Sequence, residues 1–127
     1  MYAEELTPME PQELTGDVFE EETSQYTPEC SCKVFVAQYV DMPFGDADSF
    51  DPNIPRPMAG SVALLRYGDV PHMSYVKSVS DGFVVVMEGN YEKCRITERT
   101  VALDDLALRG FWLPPYQAAQ IVLGENK

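Results

Sequence analysis

The 127-residue chain carries 21 acidic and 9 basic residues, a net charge of −12, and its composition is 45% hydrophobic and 11% aromatic. That is enough apolar material for one core, so the length suits one domain plus an appendage. Clustered Lys and Arg for phosphate neutralisation are missing, no apolar run approaches the ~18 residues that span a bilayer, and the N-terminus lacks the basic-then-apolar order of a secretory signal. Nucleic acid and membrane are therefore not expected as partners, and the protein is expected to be made in the cytoplasm.

The charge is uneven. Residues 1–29 hold nine acidic and no basic residues (−9), whereas residues 30–127 hold twelve acidic and nine basic (−3). No helical or alternating period persists across the leader, which reads as an acidic, Pro/Glu-rich tail able to dock on a basic protein or a larger assembly. The first apolar run then opens on Cys30-Ser31-Cys32-Lys33-Val34-Phe35-Val36-Ala37-Gln38-Tyr39-Val40. Ser31 is a suitable N-cap, and the pattern predicts a helix to about Val40 with Cys32 at its start. The unpaired amides and partial positive charge of a first helical turn favour a thiolate there.

The following segment, Met42 to Pro57, holds four prolines and three aspartates. It is expected as a long loop with one helical turn near Ala47, and as a candidate cleft wall. Beyond it the period changes to that of strands: Ser61–Arg66 as a buried run, Met73–Val79 alternating, a hairpin signal at Ser80-Asp81-Gly82, Phe83–Glu88, Cys94–Val101, and Gly110–Leu113 closing the sheet before Pro114-Pro115. A helix followed by antiparallel strands is an α+β arrangement. The expected organisation is a tail over 1–29, a domain over 30–115 and a C-terminal tail over 116–127.

Three cysteines are an odd number, and Cys-x-Cys is poorly placed to bridge to itself, so a disulfide-stapled scaffold is not expected and at least one thiol stays free. Cys94 reads as an ordinary turn thiol. A metal site built from Cys30, Cys32, Cys94 and His72 lacks the usual Cys-x2-Cys spacing, and neither metal nor cofactor is expected. The only histidine, His72, opens one strand, while Glu88 and Asn90 end the next. Pairing around Asp81-Gly82 brings these to one end of the sheet, and a helix packed there can present Cys32 to the imidazole. Nucleophile, proton carrier and orienting group are the set required for thiol acyl transfer.

In order along the chain, Cys32-Lys33-Val34-Phe35-Val36, Pro57-Met58-Ala59-Gly60-Ser61-Val62, His72-Met73-Ser74-Tyr75-Val76, Glu88-Gly89-Asn90-Tyr91 and Leu108-Arg109-Gly110-Phe111 resemble the blocks of CHAP domains. These are the cysteine, histidine-dependent amidohydrolases/peptidases, a papain-like group of phage and bacterial cell-wall hydrolases. The resemblance covers about residues 30–113. It implies a papain-like fold with an N-terminal helix packed on a small antiparallel sheet or half-barrel. The roles it implies are Cys32 as nucleophile, with Cys30 as the alternative, His72 as general base, Glu88 as its orienting group and Asn90 as a supporting polar residue. The implied reaction is amide hydrolysis in peptidoglycan, by a virion or tail component or an extracellular, cell-wall enzyme. The chain departs from the family pattern at Pro71, where Gly usually precedes the histidine, at Ser61, where Asp is frequent, and at Ser31, where a Gln often serves the oxyanion hole. These departures and the acidic charge point to the alternative, a non-catalytic CHAP-like structural or binding module.

Overall fold

The computed structural model describes residues 27–43 and 45–125, so nearly all of the acidic leader lies outside the described residues. The domain is a small α+β unit built on one five-stranded antiparallel sheet. Its strands are β1 (Val62–Tyr67), β2 (Val70–Ser80), β3 (Phe83–Gly89), β4 (Ile96–Ala102) and β5 (Leu108–Trp112), in spatial order β4-β3-β2-β1-β5. Two helices flank it, α1 (Cys32–Ala37) and α2 (Pro115–Glu125).

β1 reads as a continuous apolar run because both of its faces are covered. Successive side chains alternate across the pleat. Val62 and Leu64 join Met73 and Trp112 beneath Phe35 and Val36 of α1, whereas Ala63 and Leu65 join Val76, Val84, Val86 and Phe111 on the opposite side. The second layer is closed by Ile54 from the Pro-rich loop and by Leu113 and Ala118 at α2.

Three expectations are corrected here. α1 ends at Ala37, three residues short of Val40. The expected C-terminal tail is a helix: Pro115 opens α2, and the buried Ala118 donates its N–H to the Pro114 carbonyl at 2.9 Å. Proline both ends a strand and suits the first turn of a helix, so Pro114-Pro115 closes the sheet and opens α2 together. The chain also contains a disulfide, Cys30–Cys94, across 64 residues. No short-range spacing rule could pair those two cysteines.

The register of β2 against β3 decides which residues meet. The pairing runs Ser80↔Phe83, Val79↔Val84 and Ser78↔Val85, then shifts at a bulge to Val76↔Val86 and Tyr75↔Met87. A one-residue slip exchanges the faces of everything beyond it. Without the bulge Glu88 would lie opposite Tyr75, on the α1 face. With it, Glu88 falls opposite Ser74, on the face that also carries His72.

Candidate active site

Cys32 is the first residue of α1, and the Ser31 hydroxyl caps that helix by accepting the Val34 N–H at 3.2 Å. The segment before it, Pro28–Cys30, forms a 3-10 turn laid against the end of β3. A Cβ on Gly89 would fall 1.9 Å from the Pro28 carbonyl oxygen, so only glycine allows this approach. The Cys30–Cys94 disulfide ties the same segment to the β3–β4 turn. It also removes Cys30 as the alternative nucleophile and as a metal ligand, and Cys32 is left as the free thiol.

His72, 6% exposed, hydrogen-bonds both partners expected of it. Its Nε2 lies 2.8 Å from Glu88 Oε1, and Cys32 forms a side-chain hydrogen bond to the same ring, which leaves Nδ1 for the sulfur. The Cys32 sulfur also receives the Met73 backbone N–H. The Lys33 N–H is a further donor to the sulfur.

Glu88 is wholly buried and its carboxylate is fully engaged. Oε1 accepts from His72, from the Ser74 hydroxyl at 2.5 Å and from Arg99 Nη2 at 3.3 Å. Oε2 accepts from Arg99 Nε and, at 3.4 Å, from the Thr97 hydroxyl. Arg99 also donates to the Tyr67 hydroxyl and stacks 3.7 Å from the centroid of the Tyr91 ring. Ser74, Thr97, Arg99 and Tyr67 were not singled out from sequence. Alternation along β4 puts Thr97 and Arg99 on one face, but says nothing of which strand that face meets.

Asn90 is not brought to His72. It is exposed, with φ 65°, and its side chain accepts the Cys94 N–H at 2.8 Å while its own N–H donates to the Arg95 carbonyl. Its place is therefore in the turn that presents Cys94 to Cys30.

The protonation states follow from these contacts. Burial pushes the Cys32 thiol up, but the His72 imidazole and the two backbone amides outweigh it and hold the thiol below its ordinary value of 9.0. Burial lowers His72, yet its bonds to Cys32 and Glu88 raise it from 6.5 to about 9. Burial raises Glu88, and His72, Arg99 and Ser74 together bring it below 4.5. These contacts favour the thiolate of Cys32, the imidazolium of His72 and the carboxylate of Glu88 over their neutral forms.

A groove of about 850 Å³ passes Cys32, bounded by Ser31, Val34, Asp46, Ala47 and Pro71. The Pro-rich loop forms its far wall, as expected. Asp46 caps a 3-10 turn over Ala47–Ser49, and Lys33 holds the loop by donating to the Pro43 carbonyl at 2.7 Å and to the Gly45 carbonyl. Pro71 forms part of the groove wall beside Cys32. Among the described residues no group of three or more His, Cys, Asp or Glu is placed to hold a metal ion, and no helix is long and apolar enough to cross a membrane. No known family model matches the chain, and no curated protein matches it.

Proposed function

We propose that the protein is a cysteine-dependent amidohydrolase/peptidase that cleaves an amide bond of peptidoglycan, as its resemblance to CHAP domains implies. The observation that carries the chemistry is the hydrogen-bonded row Cys32, His72, Glu88 beside an open groove. The Cys32 thiolate attacks the amide carbonyl carbon. The first amide of α1, which has no acceptor within its helix, is placed on the same residue to receive the oxyanion. The C–N bond breaks as imidazolium His72 gives its proton to the leaving amine, and a thioester remains. Neutral His72 then takes a proton from water, hydroxide displaces the sulfur, and acid and thiolate are released. Glu88 fixes the ring and balances its charge throughout.

Peptidoglycan as substrate and a virion, tail or cell-wall setting come from the resemblance. The disulfide supports an oxidising destination, and the acidic leader suits docking to a larger assembly. The test is release of soluble fragments from purified cell walls. Cys32→Ala and His72→Ala should each reduce it by about 10³-fold or more with unchanged circular dichroism. Wild-type turbidity loss from Cys32→Ala would remove the mechanism. The competing reading, a non-catalytic module, is favoured by the net charge of −12. It predicts that Cys32 alkylates no faster than a thiol in a short peptide at mildly acidic pH.

A further inference from the structure

We propose that Arg99 is a positioning residue of this site, the fixed cation that brings the row Cys32, His72, Glu88, Arg99 to zero net charge and so sets the pH range in which thiolate and imidazolium coexist. The inference rests on the reading of Cys32 and His72 as nucleophile and proton carrier, and not on the identity of the substrate.

Glu88 is the only fully buried carboxylate among the described residues, and it lies between two cations. Arg99 grips it with both edges of the fork, Nε to one oxygen and Nη2 to the other at 3.3 Å. The guanidinium cannot swing away, because it lies on the Tyr91 ring, 5.6 Å from the Tyr67 centroid, and is bonded to the Tyr67 hydroxyl. Ser74 and Thr97 also donate to the carboxylate, but neither brings charge. The ionisable groups gathered here come from every neighbouring element: Cys32 from α1, Tyr67 from β1, His72 from β2, Glu88 from β3 and Tyr91 from the turn after it. Arg95, just before β4, is exposed, and on β4 itself Glu98 lies on the other face, paired with Lys77 at 2.9 Å.

With thiolate, imidazolium, carboxylate and guanidinium all ionised, the row sums to zero. Removing the guanidinium leaves −1 in a poorly solvated site. The next proton then binds more readily wherever it lands, and the imidazolium proton is held more tightly. Both the acid and the alkaline limb must therefore move to higher pH together. A purely architectural role would lower activity or melting temperature and leave the limbs in place.

Because the chain has one histidine, its ring resonances titrate without ambiguity. Arg99→Gln, Arg99→Lys and Thr97→Ala are compared with wild type by His72 ring titration in NMR and by the pH dependence of Cys32 alkylation with iodoacetamide. In Arg99→Gln both midpoints should rise by at least about one unit, a tenfold gain in proton affinity. In Arg99→Lys, which keeps the charge, and in Thr97→Ala, which removes a neutral donor, they should stay within a few tenths of a unit. Unmoved midpoints in Arg99→Gln overturn the proposal. If that variant does not fold, Arg99→Lys decides: a rise of a full unit there overturns it, and wild-type midpoints uphold it. Should wild-type Cys32 react as an ordinary thiol and His72 titrate near 6.5, the proposed mechanism falls and this inference with it. Moved midpoints in a protein that leaves peptidoglycan intact would remove the substrate alone and uphold the role of Arg99.

Discussion

Cys32 and His72 each titrate against the direction that burial alone imposes, and the sign of each can be followed separately. His72 is raised to about 9, so its contribution to stability is complete below its unfolded value of 6.5 and is lost as pH rises through about 9. Cys32 is lowered, so its contribution is present above its unfolded value of 9.0 and is lost as pH falls through the folded value. Between 6.5 and 9 the two slopes oppose. Where the folded thiol has already ionised and the imidazole has not, the folded and unfolded pairs hold the same number of protons, so urea midpoints should owe less pH dependence to this pair just below pH 9 than to either group alone. Comparing wild type with Cys32→Ala isolates the term. Catalysis should show a narrower window, rising as the thiolate forms and falling as His72 loses its proton near 9. A rate that keeps climbing past pH 10 would mean that imidazolium is not the acid.

The elements are arranged to hold the sulfur in place rather than to stabilise it by length. α1 has only six residues, so its dipole is weak and it depends on what anchors it. The first anchor is the approach of Pro28 to Gly89. Gly89→Ala should cost about 1–3 kcal/mol by overpacking, and should slow Cys32 alkylation more than Gly124→Ala, whose added Cβ meets open space. The second is the disulfide. Closing 64 residues is worth roughly 4 kcal/mol in the chain-entropy account. Cys30→Ala/Cys94→Ala should lower the unfolding free energy by about that amount and make Cys32 less reactive, since the turn that carries it is freed at one end. Equal alkylation rates in the oxidised and disulfide-free proteins would show that β3 contact alone positions the thiol.

On the scale of the whole molecule, the site is assembled from one helix start and four strands, all within residues 27–125. A chain lacking residues 1–26 should therefore keep its melting temperature within a few degrees and its Cys32 alkylation profile unchanged, while losing any association with a basic partner. Loss of the shifted thiol reactivity on truncation would assign the leader to the site itself.

Local chemistry fixes what a sequence can say here. The Ser31 cap, the thiol at the helix start, the Pro-rich wall, the hairpin at Asp81-Gly82 and the single imidazole are each readable from neighbours in the chain, because caps, turns and periods are short-range. The β2–β3 bulge, the Cys30–Cys94 bond, α2 and the Arg99–Glu88 contact are not, because each depends on residues far apart in sequence. The bulge is the sharpest case. Counting along the hairpin brings Glu88 to the correct end of the sheet, but one extra residue at Lys77 decides that it faces His72 instead of α1. Residue types are a property of the chain, whereas the face on which they meet is settled only when strands pair.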